Sequence, residues 1–144
     1  QNRRCPLNIV LSTSGDEIWI QGSDIHIEQL LDKLLDNAID FATPDSSIEI
    51  SLGTMKNHCF IAVKNYGPTI AESELPELFQ LFHSRRNLSH RNPSHTNNGE
   101  QHLGLGLYIA RLICERHGGD LRVENLSTEG AVIFTATLAL TTIE

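Results

Sequence analysis

The stretch GEQHLGLGLYIARLICERHGG, residues 99–119, places two glycines one residue apart at the start of a sequence that otherwise predicts an amphipathic helix. Glycine inside a helix costs roughly 1 kcal/mol relative to alanine. A helix that opens on Gly104, Leu105 and Gly106 must therefore have a use for bare backbone at its first turn. The remainder of the chain indicates what that use is.

The composition is that of one globular domain. The chain has 144 residues, of which 40% are hydrophobic and 20% charged, which is enough for one core. No apolar run approaches the roughly 20 residues of a membrane span, and no signal-peptide pattern opens the chain. Because the chain begins at Gln1 and not at Met, we expect a piece of a longer protein. Cys5, Cys59 and Cys114 lack metal-ligand spacing, which predicts reduced, cytoplasmic thiols used in packing.

The charge is distributed unevenly along the chain. A net charge of −7 argues against nucleic acid as a partner, because a nucleic-acid backbone selects for clustered cations. No acidic residue lies between Glu77 and Glu100. The basic residues and histidines of that interval include Arg85, Arg86, Arg91, His83, His90 and His95. A positive segment in an acidic chain indicates a small anionic ligand, and a solvated loop without a function is the alternative.

Two long helices are predicted from apolar residues that recur at i, i+3 and i+4. The first covers about 27–42 and ends at Thr43-Pro44. The second follows a polar loop over 83–103 and stops at Gly118-Gly119. The residues predicted to share one face of this second helix are Ile109, Leu112, Ile113 and Arg116. A short helical piece is predicted around 74–82.

Alternating apolar residues predict six strands, which cover 7–13, 17–21, 47–53, 58–65, 120–125 and 131–140. The first two are separated by Ser14-Gly15-Asp16, a break typical of a hairpin. The strands come in pairs and do not alternate with helices. We therefore expect an α+β fold, a two-layer α/β sandwich with helices on one face of a mixed β-sheet.

The first helix also carries a polar stripe opposite its leucines. Lys33, Asn37 and Asp40 lie at i, i+4 and i+7. Such a stripe is ordinarily plain surface in a two-layer sandwich. Asparagine, however, is a mediocre helix former that usually occurs at caps, and Asn37 lies in the middle of this helix. Its amide oxygen is therefore a candidate metal ligand or an acceptor for a ligand's donor.

Five motifs, taken in order, resemble the successive boxes of the ATP-binding catalytic domain of sensor histidine kinases. They are LLDNAIDFATP, VKNYGPTI, LFQLFHSRR, HLGLGLYIARLICERHGGDLRVEN and EGAVIF. That domain belongs to the superfamily of the gyrase B subunit, the large heat-shock chaperone ATPases and the mismatch-repair ATPases. The resemblance covers about Leu7 to Leu140. It implies one histidine-kinase-type ATP-binding domain over 1–144, with a flexible ATP lid at about 83–103.

The resemblance implies a role for the glycine pair of the opening stretch. In this family the glycine pair closes the nucleotide pocket, and the backbone amides of the pair face the phosphates. Phosphate binding by this pair is physically reasonable, because glycine lets the backbone approach an anion closely and the start of a helix carries about half a positive charge. A flexible hinge for the preceding loop is the alternative role of Gly104 and Gly106, and both roles can hold together.

Carried over residue by residue, the resemblance implies a site for ATP and Mg²⁺. Asn37 matches the asparagine that helps hold Mg²⁺, Asn65 matches the aspartate that receives the adenine amino group, and Ile70 matches an apolar wall of the adenine pocket. The full set of implied ATP-binding residues is Asn37, Asp40, Phe41, Asn65, Gly67, Ile70, Phe82, Leu103, Gly104, Leu105 and Gly106. Implied phosphate and lid contacts are Lys33, Arg85, Arg86 and His102. Phe79 and Phe82 match a phenylalanine box, and core packing is an equal alternative for both.

Four positions depart from the family pattern. Lys33 stands where hydrolysing relatives have the glutamate that activates water, so simple ATP hydrolysis is poorly supported; this lysine either neutralises phosphate charge or lies on the surface. Asp40 stands where a basic residue often touches phosphate. Asn65 can still accept the hydrogen bond from the adenine amino group, but without the added strength that a charged carboxylate gives it. Thr69 replaces a glycine, which leaves the backbone less free to approach adenine.

The resemblance implies a domain that donates the γ-phosphate of Mg·ATP to a histidine on a separate dimerisation domain. The family's acceptor histidine is generally followed by an acidic residue, and none of the seven histidines here is. We therefore expect the acceptor upstream and no catalytic residue on this chain. The implied partners are ATP or ADP, that upstream domain and a response regulator, in a homodimeric parent protein.

Two alternatives share the fold. One is a non-catalytic nucleotide-binding or signalling module, and the other is a serine kinase of the same superfamily. The implied location is cytoplasmic, with a parent protein that is either free or anchored in the inner membrane.

Overall fold

One mixed sheet of five strands organises the part of the chain that the structure describes. The computed structural model describes residues 8–13, 15, 18–80 and 105–141. The strands are β1 (Asn8–Thr13), β2 (Ser47–Met55), β3 (His58–Tyr66), β4 (Leu121–Leu126) and β5 (Ala131–Ala139). Their order across the sheet is β1-β2-β3-β5-β4. β1 runs parallel to β2, and the remaining neighbours are antiparallel.

The first helix, α1 (Asp24–Phe41), begins at a polar cap. The Ser23 side chain accepts a hydrogen bond from the His26 backbone amide at 3.3 Å, and Asp24 adds a negative charge to the first turn. The buried apolar side chains then recur at helical spacing, which is why this segment is a helix and not a strand. They are Leu30, Leu34, Ala38 and Phe41.

The second helix, α2 (Gly106–Arg116), ends on glycine. Gly118 has a φ of 81°, a left-handed conformation that glycine adopts without steric cost. The amides of Gly118 and Gly119 then bond back to the carbonyls of Glu115 and Cys114 at 3.1 and 2.9 Å. A short 3₁₀ turn, Leu75–Glu77, follows β3.

Both helices cover the same face of the sheet. α1 and α2 pack against each other, α1 packs on β3, and α2 packs on β4 and β5. Alternate residues of the central strands point into the layer between helices and sheet, among them Ile48, Val63 and Phe134. The predicted α+β sandwich, with helices on one face of a mixed sheet, is therefore confirmed.

The predicted strand at 17–21 is wrong over the residues that the structure describes. Residues 18–21 are extended chain outside the sheet, and the strand that pairs with β1 is β2. β1 therefore does not form the predicted hairpin. Ile18 and Ile20 nevertheless pack against the core, and the Trp19 carbonyl accepts a hydrogen bond from the Thr141 amide at 2.8 Å. The alternation of apolar residues records this burial and not strand pairing.

The buried face of α2 differs in part from the predicted one. Ile113 is buried as expected, but Arg116 is exposed. Ala110 and Cys114 are fully buried in its place, because the small side chains let α2 approach its neighbours closely.

The two described cysteines are free thiols inside the core, as predicted. Burial, followed by the nearby carboxylates of Asp120 and Glu115, raises the pKa of the Cys114 thiol to about 12. Burial also raises the pKa of Cys59. Cys5 lies outside the described residues. Over the described part of the chain, neither helix combines the length and apolar character that crossing a membrane requires.

Candidate functional site

The polar stripe of α1 is buried. Lys33 is 7% exposed, Asn37 is 6% exposed and Asp40 is 0% exposed. The plain-surface interpretation of this stripe, and the surface alternative for Lys33, are therefore wrong. Burying polar and charged groups is costly, so they are seldom buried on a helix face without a structural or functional reason. This buried polar face of α1 is therefore the first candidate for a functional site.

Asn65 contributes a second buried polar group, near the end of β3. Strand alternation places it on the same sheet face as Ile61 and Val63, and it is 0% exposed. Its Nδ2 and Oδ1 atoms have no hydrogen-bond partner among the described residues, and neither has Nδ2 of Asn37. A buried polar group without a partner costs about 1–3 kcal/mol. These amides are therefore suited to a ligand that supplies the missing partners.

The ends of α1 and β3 are held against each other. The Thr43 amide donates to the Tyr66 carbonyl at 2.7 Å. A Cβ atom on Gly67 would overlap the carbonyl oxygen of Phe41, so only glycine permits this approach. Asn37 lies one helix turn before Phe41 and Asn65 lies two residues before Gly67. The packing therefore brings the two buried amides to the same end of the fold.

The segment after β3 is held in place by Asn125, a residue of β4 that was not among the predicted site residues. Asn125 Oδ1 accepts from the Ile70 amide at 2.9 Å, and Asn125 Nδ2 donates to the Ile70 carbonyl at 2.8 Å. The Gly67 amide also donates to the Gly130 carbonyl at 2.9 Å. Ile70 itself is 3% exposed. Asn125 thus fixes the position of the predicted adenine wall.

The start of α2 lies toward the same end. The rings of His26 and His117 are 6.4 Å apart, which places the end of α2 beside the start of α1. Asn37 follows His26 by eleven residues and Gly106 precedes His117 by eleven, about 16 Å in each helix at 1.5 Å per residue. Because the helices pack along each other, Gly106 comes near the level of Asn37. Leu105, at the cap position, makes no side-chain capping bond.

Nine of the fifteen predicted site residues are described. They are Lys33, Asn37, Asp40 and Phe41 on α1, Asn65, Gly67 and Ile70 at and after the end of β3, and Leu105 and Gly106 at the start of α2. Phe82, Arg85, Arg86, His102, Leu103 and Gly104 lie outside the described residues, as does the whole of the predicted lid at about 83–103.

Phe79 is described, and its ring packs edge-on against Phe134 with centroids 6.1 Å apart. This contact favours the core-packing alternative for Phe79.

The oxygen atoms at this site suit a magnesium ion that is held mainly by the phosphates of a bound substrate. Within the described ranges, no group of three or more His, Cys, Asp and Glu side chains could hold a metal ion by itself. Asn37 and Asp40 are buried and carry oxygen atoms, the donors that Mg²⁺ prefers. Mg²⁺ is usually bound by one or two side chains together with substrate phosphates, and Asn37 as a single protein ligand fits that pattern.

A separate concavity of about 790 Å³ lies mainly on the outer face of the sheet. Its lining includes Lys56, Arg122 and Thr135, and none of the predicted site residues. Since Asn37 and Asn65 lie on the helix side of the sheet, this concavity does not contain the buried amides.

Comparison with known families matches most of the chain. The family model described as histidine kinase-, DNA gyrase B- and HSP90-like ATPase matches residues 22–142. The sensor protein ChvG of Agrobacterium fabrum is 34% identical over 122 residues, which are 84% of this chain and 19% of ChvG. The sensor histidine kinase YkoH of Bacillus subtilis is 32% identical over 126 residues, 88% of this chain and 26% of YkoH. The chain thus spans about a fifth to a quarter of these curated relatives.

Solved structures with the same fold include histidine kinase ThkA. Its nucleotide-free catalytic domain superposes with a TM-score of 0.75 at 26% identity, covering 94% of this chain and 82% of that domain. ThkA in complex with the response regulator protein TrrA superposes with a TM-score of 0.72 at 26% identity, covering 94% of this chain and 34% of the ThkA chain.

Proposed function

Because the chain belongs to the family of histidine kinase-, DNA gyrase B- and HSP90-like ATPases, we propose that it is the ATP-binding catalytic domain of a sensor histidine kinase. It binds Mg·ATP and presents the γ-phosphoryl group to a histidine on another domain. The observation that carries this proposal is the burial of Asn37 and Asn65 at one end of the fold. Asn37 Nδ2 and both polar atoms of the Asn65 amide have no hydrogen-bond partner among the described residues.

The base lies against the end of β3 in this proposal. Asn65 Oδ1 accepts a hydrogen bond from the amino group of adenine. Ile70, held by Asn125, forms an apolar wall for the ring. Gly67 lets β3 and α1 come together beside this wall and so shapes the pocket.

The phosphates lie between α1 and the start of α2. Asn37 is the protein ligand of Mg²⁺, which supplies charge neutralisation to the triphosphate when bound. The Lys33 ammonium adds a positive charge on the same helix face, and the backbone amides at Gly106 donate to phosphate oxygens. Arg85, Arg86, His102 and Gly104 complete the phosphate contacts in this proposal.

The acceptor belongs to another domain. In the transfer step a histidine ring nitrogen bonds to the γ-phosphorus while the bond to the β–γ bridging oxygen breaks, ADP leaves, and the ring loses a proton. Positioning and charge neutralisation carry most of this catalysis, so the acceptor must be held in line. We propose that a homodimeric parent protein supplies this acceptor. The ThkA complex with TrrA supports a response regulator as the next partner.

Two measurements test this function. Calorimetry with ADP and Mg²⁺ should show saturable binding, and its absence at millimolar nucleotide would refute the proposed site. Incubation with γ-labelled ATP should leave the chain unlabelled by itself and give acid-labile label on the parent protein. Acid-labile label on the isolated chain would refute transfer to a separate domain. Binding without any transfer in the parent would favour the non-catalytic alternative.

A further inference from the structure

We propose that the base pocket accepts 6-oxopurine nucleotides, such as those of hypoxanthine and guanine, as well as adenine nucleotides, and that Asn65 is the residue responsible. This inference rests on the proposed function, because it concerns the base of the same nucleotide.

The first step is the isolation of the Asn65 amide. In the sheet, Asn65 lies between Ile48 on β2 and Val132 on β5, and both of these neighbours are apolar and fully buried. Neither Oδ1 nor Nδ2 has a hydrogen-bond partner among the described residues. Within the described part of the chain, the amide therefore offers one free acceptor and one free donor side by side. No described contact fixes which of the two faces the base.

The second step is the chemistry of the two purine edges. Adenine presents a donor at its 6-amino group and an acceptor at N1. A 6-oxopurine presents the reverse pattern, an acceptor at O6 and a donor at N1–H. An asparagine side chain matches either pattern, because half a turn of its amide exchanges the oxygen and the nitrogen. A carboxylate that faces the 6-position can only accept, so it matches the adenine amino group and repels O6. To reach the N1–H of a 6-oxopurine instead, the base would have to shift along its edge.

The third step is the cost of a mismatch. A site built to hydrogen-bond one group rejects an analogue when its own buried polar atoms are left unpaired. With Asn65 neither edge leaves the amide unpaired, so the usual penalty for the 6-oxo group is absent. The energetic basis for excluding 6-oxopurines is thereby removed at this position.

The test is calorimetry of the whole chain with Mg²⁺ and two ligands, ADP and inosine diphosphate. Inosine diphosphate isolates the 6-oxo edge because it lacks the 2-amino group of guanine. We expect the Kd of inosine diphosphate to lie within tenfold of the Kd of ADP. Asn65→Asp should weaken inosine diphosphate at least tenfold relative to ADP. Asn57→Asp, the same exchange on the exposed turn between β2 and β3, should leave the ratio of the two Kd values unchanged.

The outcomes separate this inference from the proposed function. ADP binding with inosine diphosphate more than tenfold weaker in the wild type would overturn the inference and leave the function standing. An unchanged ratio in a folded Asn65→Asp variant would also overturn it. If the variant does not fold, the wild-type comparison decides by itself. Failure of both ligands to bind would refute the proposed function.

Discussion

Replacing Asn125 with leucine should lower both the stability of the domain and its affinity for nucleotide. The exchange keeps the branching and the number of heavy atoms of the side chain and removes both of its hydrogen bonds to Ile70, which measure 2.9 and 2.8 Å. The amide and carbonyl of Ile70 then lose their partner in a residue that is 3% exposed. Each buried group without a partner costs about 1–3 kcal/mol, and leucine recovers part of this through apolar burial. We expect a net loss of about 2–4 kcal/mol in the free energy of unfolding.

Thermal and urea denaturation measure this loss. A domain of this size loses about 2–4 °C of Tm per kcal/mol, so Tm should fall by roughly 5–15 °C. Asn125→Asp keeps an acceptor for the Ile70 amide and should fall between the wild type and the leucine variant. Arg122→Leu is the matched control, because its side chain is 78% exposed on the same strand, and it should stay within about 0.5 kcal/mol.

The same variants test the link to binding. Below its Tm, Asn125→Leu should bind ADP more weakly than Arg122→Leu, because the wall formed by Ile70 is no longer held in place. A leucine variant as stable as the Arg122 control would refute the proposed role of the two hydrogen bonds. A variant that is less stable but binds ADP like the wild type would show that Ile70 is not part of the pocket.

Three further predictions follow from other contacts. Gly67→Ala should cost about 1–3 kcal/mol of stability in denaturation experiments, since its Cβ would overlap the carbonyl oxygen of Phe41. Gly53→Ala is the control and should cost less, because its Cβ would meet only the movable end of the Phe60 ring, at 2.9 Å. The pKa of the Cys114 thiol is raised from 9.0 to about 12 in the folded chain. The unfolded thiol therefore loses its proton first, and this group's contribution to stability, complete below pH 9.0, should fall by about 1.4 kcal/mol per pH unit up to about pH 12. Urea titrations at several pH values measure the free energy of unfolding, and in Cys114→Ala this part of its fall with pH should be absent. Asn37→Ala should reduce the affinity for Mg²⁺ at least roughly tenfold, so calorimetry with and without the metal should give nearly equal Kd values for ADP.

Local patterns predicted most of the fold, because periodicity reports burial directly. The spacing of the apolar residues of α1 and the break at Pro44 located that helix, and the alternation in β2 and β3 located the central hairpin. The same signal failed at residues 18–21, where alternate burial occurs without a partner strand. Pairing depends on which strand reaches the sheet edge, and β2 rather than this segment lies beside β1.

The candidate site was predictable to the extent that polar residues interrupt local patterns. Asn37 stood out because asparagine is unusual in the middle of a helix. Asn125 carried a comparable signal, since it shares its strand face with the inward-pointing Leu121 and Val123. Its partner, however, is Ile70, 55 residues earlier, and a contact at that separation follows from tertiary packing alone. The burial of Lys33 and Asp40 depends in the same way on elements that pack over α1.

Titration of the ¹⁵N-labelled domain with Mg·ADP, followed by NMR, tests most directly whether the buried face of α1 and the end of β3 form the nucleotide site. We expect the largest shifts at the side-chain amides of Asn37 and Asn65 and at the backbone amides of Ile70 and Gly106. Resonances of the outer-face concavity around Arg122 should move little. Shifts confined to that outer face, or no shifts at millimolar Mg·ADP, would contradict the assignment of the site.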